Sequence, residues 1–119
     1  MNRGDRGSGT VAVLGAFVVV VMVISAAAMV GAVLIQVSQV RHAADLAAMA
    51  GARTALEGGD ACRAARVTAR ENGSRLTDCQ LTQGVFDVVV AVEASADLPW
   101  RRLRPLGPIV QRAEAGTVS

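Results

Sequence analysis

Residues 11–35 read VAVLGAFVVVVMVISAAAMVGAVLI, a run in which no side chain carries a charge. As a helix rising about 1.5 Å per residue, the run spans roughly 37 Å, enough to cross the hydrocarbon core of a bilayer. Charged, polar stretches bracket it, residues 1–10 before and 36–45 after. The run therefore reads as a transmembrane helix over 11–36 preceded by a cytoplasmic leader over 1–10, and membrane lipid is the first partner it implies. The helical pattern does not stop there. Good helix formers dominate QVSQVRHAADLAAMAGARTAL (36–56), and no Pro interrupts it. The expectation is one rod of about 45 residues, near 65 Å long, whose extension 37–57 leaves the membrane. Small residues recur along it at a spacing of four: Ala27 and Gly31, Ala28 and Ala32, then Ala43, Ala47, Gly51 and Ala55. Such spacing permits close helix contact in lipid or in a bundle, including a helix-mediated homo-oligomer.

The remainder, 58–119, has the size of one small domain. Gly58 and Gly59 end the rod, Asp60 is placed as an N-cap, and a short helix over 61–72 closes at Gly73. On that helix Arg63, Arg66 and Arg70 share a solvated side, while Ala65, Ala69 and Cys62 are available for packing. A strand is expected over 76–81, a turn at 82–84, and a second strand over 85–94. In VFDVVVAVEA the alternation puts Phe86, Val88, Val90 and Val92 on a core face and Asp87 and Glu93 on a wet one. Three prolines make 97–108 a loop, and 109–115 supplies a third strand. The fold class is α+β: a long N-terminal transmembrane helix continuing into an extracytoplasmic rod, then a short helix and a small antiparallel sheet.

The chain has a formal net charge of +2, yet residues 36–119 carry ten Arg against nine Asp and Glu. Acids and bases are interleaved and aromatics are only 3% of the chain, so the electrostatic footprint of a nucleic-acid binder is missing. Cys62 and Cys79 are the two cysteines. With His42 the sole histidine, the ligand tally falls short of a zinc site, and the pair is read as a disulfide. Closing a loop of this size contributes about 3 kcal/mol through lost chain entropy, a large share for so small a core. A disulfide persists in an oxidising compartment, which places the C-terminal part outside the cytoplasm. The flanking charges nearly balance, Arg3, Arg6 and the α-amine against Asp5 on one side, Arg41 and Arg53 against Asp45 on the other. Cysteines and short N-terminus together favour a single pass through the plasma (inner) membrane, N-terminus inside.

No enzyme signature appears. His42 lies at the membrane-proximal end of the helical extension with no Cys, Ser and second His to make a catalytic set, and Asp45 and Glu57 do not share a helix face. There is no Walker sequence, no G-x-S-x-G elbow and no metal-ligand spacing, so no catalytic residue, metal or cofactor is assigned. Gly4, Gly7 and Gly9 resemble a phosphate loop only loosely, and Asn72-Gly73-Ser74, a glycosylation sequon, is better read as a cap and turn. One surface cluster stands out: Trp100 beside Arg101, Arg102 and Arg104, a docking candidate for anionic headgroups or an acidic partner.

Arg6-Gly7-Ser8 ahead of the apolar run and Ala43-Ala44-Asp45-Leu46-Ala47-Ala48 on the rod resemble the TadE/TadG-like proteins of Flp-type pilus assembly, closest to the short actinobacterial TadE-like subgroup. The arrangement Asp60, Cys62, Asn72, Gly73, Leu76 and Cys79 carries the same resemblance, which extends to about Val92. It implies a pilin-like fold and a pseudopilin or minor-pilin role among other pilin-like or Tad-type assembly and secretion proteins. It also implies a prepilin-type leader cut between Gly7 and Ser8. The fifth residue after that glycine, usually Glu in pilins, is Ala12. A permanently anchored assembly factor fits equally well. The alternative is a small secreted disulfide-containing protein released by signal-peptide cleavage near Ala28. It would leave the apolar segment MVGAVLIQVSQV (29–40) as its new N-terminus.

Overall fold

The computed structural model describes residues 5–98 and 104–118, and the chain divides into two units, Met1–Leu34 and Ile35–Ser119. Helix α1, Asp5–Leu56, contributes to both. It begins in the expected leader rather than at residue 11, and it continues unbroken past residue 36 as expected. In the first unit the apolar side chains Val11 to Ile24 are exposed, as are Met29 and Val30. By length and composition α1 is a candidate membrane span.

In the second unit α1 becomes a core element, and its small residues explain how. Val40, Ala43, Ala44, Ala47, Ala48, Ala52 and Ala55 are buried, while Arg41, His42, Asp45, Leu46 and Met49 face outward. The buried residues recur at three- and four-residue intervals and form one stripe. Gly51 lies at its tightest point: a Cβ there would come within 3.0 Å of the Ala61 carbonyl oxygen and of Val90 Cγ1, and 3.5 Å from Ala65 Cβ. The Ala43, Ala47, Gly51, Ala55 stripe is thus consumed within the chain, against the short helix and the sheet. It is not left open for a helix-mediated oligomer; Ala27, Gly31, Ala28 and Ala32 lie outside this contact.

Helix α1 stops where a left-handed residue becomes available. Gly58 adopts φ +80°, the Gly59 N–H reaches the Thr54 carbonyl at 2.8 Å, and the Gly58 N–H reaches that of Ala55 at 3.1 Å, a Schellman closure. Helix α2, Ala61–Glu71, follows. The Asp60 carboxylate accepts from the Arg63 N–H at 3.1 Å, as expected of its N-cap. A second Schellman closure ends α2: Gly73 has φ +75°, Ser74 N–H donates to the Ala69 carbonyl and Gly73 N–H to that of Arg70. Ala61, Ala65 and Ala69 are buried and Arg63, Arg66 and Arg70 exposed, the predicted division of faces.

Three antiparallel strands complete the head: β1 (Arg75–Gln83), β2 (Asp87–Ala96) and β3 (Ile109–Val118), in sheet order β1-β2-β3. A bulge interrupts the β1–β2 ladder between Leu76 and Asp78, whereas β2–β3 pairing is regular. Val90, Val92 and Ala94 pack inward on the helices. Burying Val90 completely contributes about 1.5–3 kcal/mol.

Two strand expectations need correction. The turn is not at 82–84 but at 84–86, because β1 runs through Gln83 and the Gly84 N–H closes on the Asp87 carbonyl at 2.7 Å. That closure puts Val85 and Phe86 at the hairpin tip, 88% and 73% exposed, so Phe86 is not on the core face. The third strand is present and extends three residues beyond the expected Ala115. Of the expected connection over 97–108, residues 99–103 lie outside the described residues; the rest holds a short 3-10 turn at Arg104–Leu106 and Gly107 at φ +86°.

Gly51→Val is expected to destabilise the head by about 1–3 kcal/mol, because nothing rigid around that Cβ can retreat. Gly31→Ala, with open space around its Cβ, is the matched control and leaves stability unchanged or slightly higher. Urea unfolding of the full chain in detergent measures both.

Candidate functional site

Sequence order separates Cys62 from Cys79, and folding joins them. Cys62 sits on the first turn of α2 and Cys79 in β1, and the two form a disulfide with Cα atoms 5.9 Å apart. The bond clamps α2 to one face of β1. Pairing Cys79 with Val92 puts it on the inner face, so its neighbours Asp78 and Gln80 point to the opposite, open face.

That open face holds the best-defined polar constellation among the described residues. Asp78 lies opposite Glu93, and Glu93 opposite Arg112, across all three strands. Arg112 Nε donates to Glu93 Oε2 at 2.7 Å; Thr77 Oγ1 donates to Glu93 Oε1 at 3.1 Å and to the Glu93 carbonyl at 3.2 Å. The Arg112 hydrogen bond, and then that of Thr77, hold the Glu93 carboxyl below its ordinary range; the same bond raises Arg112. Asp78, Gln80, Ala91 and Glu114 complete an open depression around this group. Within it the Glu93 carboxylate is already hydrogen-bonded to the Arg112 guanidinium, and no nucleophile–base pair is present among the described residues.

The other sequence candidates are dispersed. His42 is exposed on α1, and Glu57 pairs with Arg53 at 3.5 Å on an exposed helix end. No three His, Cys, Asp or Glu side chains come together as a metal set among the described residues. Gly7 and Ser8 lie inside α1 rather than in an extended leader. Trp100, Arg101 and Arg102 lie outside the described residues; Arg104 opens the 3-10 turn. The Thr77–Glu93–Arg112 group was missed from sequence. The alternation did mark Glu93 as outward, but its partner is 19 positions away across a proline-rich connection.

No family model matches the chain, and no curated protein or solved structure matches it either.

Two outcomes are expected. Replacing both cysteines with Ser lowers the unfolding free energy of the head by about 3 kcal/mol, read by urea titration. For Glu93, a depressed folded pKa means a stabilising contribution that is complete above the unfolded value and lost as pH falls through the folded one. The difference in melting temperature between wild type and Glu93→Gln is therefore constant at neutral pH and shrinks below the ordinary glutamate value of about 4.3.

Proposed function

We propose that this chain is a non-enzymatic, single-pass membrane protein, and that it serves as a pseudopilin- or minor-pilin-like component of a Flp/Tad-type pilus assembly or secretion system. Its head stands outside the cytoplasm and its N-terminus inside. The observation that carries the reading is the double use of α1. One unbroken helix supplies an uncharged, outward-facing apolar segment and then the central packing surface of an α+β head. A protein built this way presents surfaces on an anchor. The Cys62–Cys79 bond supports an oxidising environment for the head, and the order of short motifs from Arg6 to Cys79 supports the TadE-like assignment.

The chain has only two cysteines, both in the head, which makes a clean topology test. In intact cells, a membrane-impermeant reductant followed by an impermeant maleimide is expected to label Cys62 and Cys79, and without the reductant labelling is absent. The protein is expected to stay with membranes through an alkaline carbonate wash. Labelling that requires lysis, or two thiols free before reduction, would overturn the topology. Intact mass separates the forms: loss of residues 1–7 marks a processed pilin-like subunit, full length a permanent assembly factor, and a cut near Ala28 a secreted product. Unchanged pilus assembly and secretion in a strain lacking the gene would remove the assembly role.

A further inference from the structure

The head carries opposite charges on opposite sides. On the open sheet face the strand register gathers Asp78, Glu93 and Glu114 around Arg112, with Asp87 farther along β2 and Arg75, at the other end of the face, paired with Asp97 at 3.8 Å. Arg112 is already hydrogen-bonded to Glu93, so the face is negative. On the far side of the fold, α2 turns Arg63, Arg66 and Arg70 to solvent, and none of the three makes an ion pair among the described residues. The disulfide holds α2 on the side of the sheet away from the open face. Cys79 ties α2 to the inner face of β1, and strand alternation sends Asp78 to the other.

The two faces also match in shape and spacing. At 3.6 residues per turn the three arginines fall within about 60° of one another and span roughly 10 Å of helix. Val67, 51% exposed, lies beside them. Across the sheet, Asp78 and Glu93 are direct cross-strand neighbours at about 5 Å, and Glu114 is a diagonal neighbour of Glu93 at about 7–8 Å. Ala91, flanked in the register by Gln80 and Glu114, is the small residue among these carboxylates.

We propose that the open sheet face of one copy binds the arginine face of α2 on a second copy. Contact of two different surfaces of the same chain is heterologous, so each copy binds one neighbour through its sheet and another through α2, and the association is open-ended rather than a closed pair. The inference uses the head alone and stands whether or not α1 spans a bilayer.

Sedimentation velocity of the full chain in a zwitterionic detergent tests it. Wild type is expected to associate with increasing protein concentration. The association weakens roughly tenfold as salt rises from about 0.05 to about 0.5 M, as screened surface charges require. Arg63→Glu/Arg66→Glu/Arg70→Glu and Asp78→Arg/Glu114→Arg are each expected to sediment as single chains. Mixed one to one, they are expected to associate again, since each then offers the other its complementary face. A cooperative urea-unfolding transition like that of wild type reports that each variant is folded, and Arg66→Glu alone replaces the triple variant should that one fail. A wild type that never associates would overturn the proposal, as would association indifferent to salt and to both variants. A mixture of folded variants that stays dispersed would do the same.

Discussion

The close approach of α1 to the sheet at Gly51 is the constraint on which the rest of the head depends. A helix that meets Val90 and the Ala61 carbonyl at this distance carries only Ala and Gly at its buried positions from Ala43 to Ala55, with Val40 the larger residue before them. The sheet then needs only Val-sized side chains to fill the gap, and α2 meets the same stripe with Ala61, Ala65 and Ala69. This is why the chain builds a core with almost no aromatic residues. Small side chains bring backbones together, but each removes little apolar area from water. The disulfide compensates, holding α2 on β1 by restricting the unfolded chain rather than by adding buried surface.

The same helix carries the apolar run and part of the head's core. Because residues 40–55 of α1 are core positions, the head has no complete interior without the C-terminal part of the helix that carries the apolar run. Truncating within that part removes packing surface, not merely a tether.

That organisation follows from sheet geometry. With helices on one face only, every second residue of β1, β2 and β3 meets water. The strand register turns separate acids into one negative field, with Arg112 and Thr77 fixing Glu93 across three strands. Exposed ion pairs of this kind add little to stability.

Much of the architecture was legible in the sequence because its signals are local. The apolar run, the uninterrupted helix beyond it, and α2 with Asp60 and Gly73 at its ends all depend on residues within a turn or two of one another. The alternation that put Val88, Val90 and Val92 inward and Glu93 outward is equally short-range. Tertiary structure decided what depends on distant partners. It turned the Ala43–Gly51–Ala55 stripe inward on the chain's own core, moved the hairpin turn so that Phe86 left the core, and extended β3 against β2. It also brought Arg112 to Glu93 and set acids and arginines on opposite sides of the head. Local propensity records what a segment prefers to be. Register and packing record what it meets, and that is fixed only when strands far apart in sequence share hydrogen bonds and a helix closes over them.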